Sequence, residues 1–229
     1  MAAWGQGPVV AVDGPAGAGK STVARRMAER LEFLYLDSGA MYRALALKAL
    51  QHGVDLRDET QLSHLLGTTR IELSGAGHKA PAVLLDGEDV TLLLRSPEVN
   101  ASVSLVAGFP LVREEMVRRQ RQMAGKGHVI MDGRDIGTYV LPGADLKFFL
   151  TASLEARAAR RLHDLLSMGF PADLETLAEE ISHRDALDSK RAVGPLRRAA
   201  DAIVIDTTDM EVDHVVDMML SFYRQRVGS

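Results

Sequence analysis

The chain has 229 residues, 46% hydrophobic and 25% charged, with a net charge of −4 and no cysteine. That length can bury a substantial core, in one large domain or in a core with small insertions. The lack of thiols excludes disulfides, Cys-zinc sites and thiol catalysis, and the acidic balance argues against a broad nucleic-acid surface. No run reaches the length of a membrane span, and Met1-Ala2-Ala3-Trp4-Gly5-Gln6-Gly7 carries no basic targeting region, so a soluble, cytoplasmic protein is expected.

The first predicted element is a buried strand, Pro8-Val9-Val10-Ala11-Val12-Asp13. It runs directly into Gly14-Pro15-Ala16-Gly17-Ala18-Gly19-Lys20-Ser21, followed by Thr22. The spacing is that of the phosphate-binding loop G-x-x-x-x-G-K-[ST], and a chance match in a chain this long is on the order of 1%. Glycines let backbone N–H groups curl round an anion, the next helix offers its positive end, Lys20 reaches the outer phosphates and the Ser21 hydroxyl suits Mg²⁺. Val23, Met27 and Leu31 then recur at helical spacing. The motif predicts a nucleoside triphosphate cradle and leaves open whether the γ-phosphate goes to water or to a second substrate.

Phe33-Leu34-Tyr35-Leu36 is a second strand ending at Asp37-Ser38-Gly39, so Asp37 and Ser38 arrive near the loop. Asp37 is a candidate Mg²⁺ ligand or simply a strand terminator. Ser38 suits either a ligand contact or a helix N-cap. Helices follow over 39–48, with Arg43, and from Asp58 through Leu66, where Asp58 and Gln61 have capping spacing. From Thr69 to Thr91 the pattern shifts to short strands with Asp86-Gly87 as a turn, a small antiparallel insertion over about 63–95. His78 and Lys79 are read as solvated loop residues.

Two helices come next, 97–107 with Ser104, and 110–123, where Pro110 suits the first turn and Gly125 the stop. Arg118, Arg119 and Arg121 are expected on a solvated face near the helix C-terminus. Arg113, near the N-terminus, is electrostatically misplaced there and needs another reason. His128-Val129-Ile130-Met131 is a third strand, ending in Asp132-Gly133-Arg134-Asp135, and Leu146-Lys147-Phe148-Phe149-Leu150 is a fourth. Ser153 can cap a helix carrying Arg157, Arg160 and Arg161, and Asp173 starts another that runs toward Arg184, Asp188 and Arg191. A fifth strand over 202–206 and a terminal amphipathic helix close the chain. Strands alternating with helices predict a three-layer α/β core on a five-stranded parallel sheet.

The phosphate loop, Asp37-Ser38-Gly39-Ala40-Met41-Tyr42-Arg43, Phe109-Pro110-x-Val112-Arg113, Asp132-Gly133-Arg134-Asp135-Ile136-Gly137-Thr138 and Arg184-Asp185-x-x-Asp188-x-x-Arg191 occur in the order and spacing of bacterial cytidylate kinases. The resemblance spans nearly the whole chain, and its motifs beyond the loop are specific. It implies a P-loop kinase core with a small antiparallel β insertion and a helical lid, in a single domain over 1–229. The core would be 1–37 and 106–229, the nucleoside monophosphate region 38–105 and the lid about 155–170. It also implies transfer of the γ-phosphoryl group of ATP to CMP or dCMP, with Mg²⁺, by a monomer that engages neither nucleic-acid polymer nor membrane. ATP would sit on residues 14–22 and the metal on Ser21 and Asp37. Ser38, Arg113 and Asp135 would surround cytosine; Arg43, Arg134 and Arg191 would hold the CMP phosphate; Ser104, Arg184 and Asp188 would lie on the ribose side. Lys20, Arg134, Arg191 and the lid arginines Arg157, Arg160 and Arg161 would carry catalysis. A kinase for UMP, AMP or shikimate, or a switch that hydrolyses ATP, shares the loop and stands as the alternative.

Overall fold

The computed structural model describes residues 7–74 and 82–227. Eight strands and eight α-helices follow in chain order among these residues, with a short 3₁₀ turn at Leu93–Arg95 and a π turn at Ile136–Val140. They are β1 (Val9–Asp13), α1 (Lys20–Leu31), β2 (Leu34–Asp37), α2 (Ser38–Gln51), α3 (Glu59–Gly67), β3 (Ile71–Ser74), β4 (Ala82–Leu85) and β5 (Glu88–Asp89). Then come α4 (Pro97–Val106), α5 (Pro110–Ala124), β6 (Val129–Gly133), β7 (Leu146–Thr151), α6 (Leu154–Ser167), α7 (Leu174–Lys190), β8 (Ile203–Asp206) and α8 (Val212–Arg226).

One sheet is five-stranded and parallel, in the order β2-β6-β1-β7-β8. β1 lies at its centre and is buried on both faces, which is why its sequence is an unbroken apolar run and not an alternating one. The period of two still sorts its side chains. Val10 and Val12 join Val23 and Met27 of α1 and Val216 and Met219 of α8 on one face. Val9 and Ala11 join Leu36, Val117 and Met131 on the other. In register, Asp13 stands beside Gly133 and Asp37 beside Asp132, so three carboxylates reach the carboxyl edge of the sheet together.

A second core lies among α2, α3, α4 and α5. Met41 and Leu45 of α2 pack with Leu62 and Leu66 of α3, Val99 and Val103 of α4, and Val112 and Met116 of α5. The antiparallel sheet β3-β4-β5 leans on this cluster through Ile71, Val83 and Leu85. His78 and Lys79 lie outside the described residues.

Two expectations change. Ser38 is not the cap of α2: Asp37 Oδ1 accepts the Ala40 N–H at 2.8 Å, while Ser38 Oγ, already in the helix, donates to the Asp132 carbonyl at 2.7 Å. Nor are the three C-terminal arginines of α5 alike. Arg119 donates to the Thr69 and Leu66 carbonyls, both at 2.8 Å, and Arg121 to the Val140 and Tyr139 carbonyls at 2.9 and 2.8 Å. Both tie α5 to its neighbours, although Arg121 remains exposed, whereas Arg118 bonds only within its own helix, to Glu115. No helix among the described residues is long and apolar enough to cross a membrane.

Candidate active site

A cleft of about 1390 Å³ opens over the carboxyl edge of the parallel sheet. Its floor is the loop between β1 and α1. The chain reverses at Gly14 with φ +146°, where a Cβ would stand 2.0 Å from the Leu150 carbonyl oxygen, so β7 leaves room only for glycine. Lys20 opens α1 and folds its Nζ back to the Pro15 carbonyl at 2.7 Å. Burial and the nearby Arg134 charge push its pKa down to about 7, against the pull of Asp132. Thr207, just past β8, donates through Oγ1 to the Ala18 carbonyl at 3.2 Å and closes the loop's outer side.

The opposite wall is built from α2, α4, α5, the end of β6 and α7. Arg113, only 1% exposed, forms a buried ion pair with Asp135. Its Nε has no partner, and its guanidinium lies 5.7 Å from the Tyr42 ring centroid. This is the reason for a cation near the N-terminus of α5. Burial raises the Asp135 pKa, opposed by Arg113, Arg191 and Arg134. Asp188 gathers a second cluster: it accepts from Arg134 Nε at 2.8 Å, from Arg191 and, at 3.4 Å, from Ser104 Oγ. Burial raises its pKa, but Arg134, Arg191 and Arg184 outweigh that and leave it lowered. Arg184 falls to about 9 through burial and the charge of Arg134, and its Nε is unpartnered. Arg43 pairs with Asp37 at 2.7 Å. Cations packed this tightly favour polyanions between them.

Of the residues singled out in the sequence, 16–22, Asp37, Ser38, Arg43, Ser104, Arg113, Arg134, Asp135, Arg160, Arg161, Arg184, Asp188 and Arg191 line this one cleft. Gly14 and Pro15 form the base of the loop beneath it. Arg157 lies behind the loop: its Nη1 donates to the Ala16 carbonyl at 2.9 Å and its Nε to the Ala152 carbonyl at 3.1 Å. Arg160 donates to the Thr207 carbonyl at 2.5 Å.

A magnesium ion bound with a triphosphate needs oxygen donors beside the loop. Ser21 Oγ donates to Asp132 Oδ2 at 2.9 Å, and Tyr35 donates to Asp132 Oδ1 at 2.8 Å. Burial and the Asp37 charge push Asp132 up to about 6, so a divalent cation there would be electrostatically welcome. The hydroxyl and carboxylate fit the ion. Asp37 and Asp132 both have their two oxygens engaged, Asp37 on the Ala40 N–H and Arg43 and Asp132 on Ser21 and Tyr35; Asp132 is the one bonded directly to the Ser21 hydroxyl.

From the sequence, Asp13 and Asp185 have no site role, and Asp132 reads only as the acid that ends an apolar strand, a familiar place for an Mg²⁺-organising carboxylate. Asp13 accepts the Ile136 and Gly137 N–H groups at 2.8 and 2.7 Å, strapping β1 to the turn that carries Asp135. Its burial lifts its pKa to about 7. Asp185 accepts the Ala16 N–H at 3.2 Å. The only sequence signal for Asp13 and Asp132 is an apolar run that ends in an acid.

The cytidylate kinase family profile matches residues 10–225. Cytidylate kinase of Geobacillus kaustophilus (strain HTA426) is 56% identical over 219 residues, 96% of this chain and 97% of that protein. Cytidylate kinase of Geobacillus sp. (strain WCH70) is 55% identical over the same shares of the two chains. Cytidylate kinase of Bacillus subtilis (strain 168) is 51% identical over 95% of this chain and 96% of its own. With this match running from the first strand to the last helix, the chain belongs to the cytidylate kinase family.

Proposed function

We infer that the protein transfers the γ-phosphoryl group of ATP to CMP or dCMP, giving ADP and CDP or dCDP. The observation that carries this reading is the single cleft in which the phosphate loop faces the Arg113–Asp135 pair across a set of arginines. Phosphoryl transfer rests on positioning and charge neutralisation, and the acceptor phosphate is already an anion, so no strong general base is needed.

Residues 16–22 would cradle the ATP phosphates, with Lys20 on the outer ones. Mg²⁺ would be held by Ser21, with Asp132 ordering its shell, and supplies charge neutralisation to the triphosphate. Arg43, Arg134 and Arg191 are suited to fork the acceptor phosphate. Ser104, Arg184 and Asp188 would take the ribose side. Cytosine presents an amino donor beside ring-nitrogen and carbonyl acceptors, which Asp135 and Arg113 complement, with Ser38 alongside. Uracil would set a carbonyl against the Asp135 carboxylate, at a cost of a few kcal/mol, roughly 10²-fold or more in selectivity. Arg160 and Arg161, on α6, would cover the migrating group, and Arg157 would brace the loop from behind. The enzyme would act as a cytoplasmic monomer on free nucleotides.

The direct test is product stoichiometry. ADP and CDP should form in equal amounts from ATP and CMP, with little ADP made when no acceptor is present. ADP formation that ignores CMP would replace the kinase with an ATP-hydrolysing switch.

A further inference from the structure

Arg184 and Asp188 of α7 and Arg191, just past its end, share the acceptor wall, but Asp185, one residue on from Arg184, turns about 100° round the helix. There it meets the donor loop. Asp185 Oδ1 accepts the Ala16 N–H at 3.2 Å, and Oδ2 accepts from Arg157 Nη1 at 2.5 Å. The same Arg157 nitrogen donates to the Ala16 carbonyl at 2.9 Å, so both polar groups of the Ala16 backbone are gripped by α6 and α7. The fit is close: a Cβ on Gly17, whose φ is +78°, would stand 2.9 Å from Arg157 Cβ and 3.2 Å from its carbonyl oxygen. Asp185 and Arg157 side chains are 19% and 9% exposed, sheltered enough for the bridge to be held geometrically and not only on average.

We propose that Asp185 is a positioning residue that couples acceptor binding to the shape of the donor loop. The proposal rests on the substrate reading above. An acceptor gripped by Arg184, Asp188 and Arg191 fixes α7, α7 carries Asp185, and Asp185 fixes the Ala16–Gly17 segment against which the triphosphate is laid. Linkage makes the effect reciprocal, so ATP must tighten CMP binding by the factor by which CMP tightens ATP binding. Asp185 touches neither nucleotide in this scheme. Its substitution should therefore change the coupling more than either affinity measured alone.

The test is calorimetric titration of CMP into the protein with and without saturating Mg²⁺ and the non-hydrolysable β,γ-imido analogue of ATP. In the unsubstituted protein the analogue should tighten CMP binding by about fivefold or more, the lower end of ordinary coupling. Asp185→Asn, which keeps the volume but loses the charge and one of the two acceptors, so that it cannot accept from the Ala16 N–H and Arg157 through separate oxygens, should bring that ratio to within about twofold of unity while CMP alone binds within about threefold of its original affinity. Arg157→Met, removing the other arm, should lower the ratio as well, and serves if the first variant melts early. A folded variant of either kind that keeps the full ratio, or an unsubstituted protein with no coupling, overturns the proposal. An unsubstituted protein that binds the ATP analogue and not CMP overturns the substrate reading, and the coupling with it.

Discussion

Arg113 and Asp135 form a buried ion pair, and in the proposed reading the same two side chains would also read the base. Together they neutralise each other out of water, and each keeps hydrogen-bonding capacity to spare: Arg113 Nε is unpartnered. The two roles can be separated by the choice of substitution. Asp135→Asn preserves shape and an acceptor oxygen, and should lower the CMP over UMP ratio of kcat/KM by about 10–100-fold, with the KM for ATP within about twofold of its original value. Asp135→Ala should in addition leave a buried guanidinium uncompensated, costing about 3 kcal/mol in urea denaturation. Equal loss for both acceptors in the Asn variant would remove Asp135 from base reading. Lys20 gives a second prediction at this scale. With its pKa pushed down to about 7 by burial and Arg134, it is largely neutral at pH 8, and a bound triphosphate raises the pKa again. ATP binding at pH 8 should thus take up protons, seen as a dependence of the calorimetric heat on buffer ionisation enthalpy. Lys20→Met should abolish the uptake; proton release by the unsubstituted protein would contradict the assignment. In the folded state without ligand the same shift makes stability rise with pH between about 7 and 10.5, because there the unfolded chain binds more protons.

Among the elements, α5 separates what a sequence discloses from what it does not. Pro110 at its start and its apolar stripe were legible, because both are local. That Arg119 and Arg121 are staples was not, since their acceptors lie 50 and 53 residues away for Arg119, and 18 and 19 for Arg121. Arg119→Met should cost about 1–2 kcal/mol by stripping two carbonyls of a charged donor, whereas Arg118→Ala should leave the denaturation midpoint where it is. The strands divide in the same way. The five of the parallel sheet announced themselves as apolar runs, but β5 is two exposed acids, Glu88–Asp89, and its place in the small sheet comes only from pairing with Leu84 and Leu85. In the site, Lys20 could be read from the spacing of the phosphate loop and Arg134 only through the family resemblance, whereas Asp13 and Asp185 take their meaning from partners 123 and 169 residues distant.

For the molecule as a whole, the parallel sheet sets one edge at which the donor loop, three strand-end carboxylates and the two arginine clusters must meet. The central claim is that this edge seats ATP opposite a cytosine nucleotide. Its most direct measurement is an acceptor panel under one set of conditions, with ATP and Mg²⁺ against CMP, dCMP, UMP, AMP and shikimate, comparing kcat/KM. CMP and dCMP should stand about 10²-fold or more above the others, the discrimination expected when a buried carboxylate must face a donor. UMP, AMP or shikimate turning over faster than CMP would contradict the account.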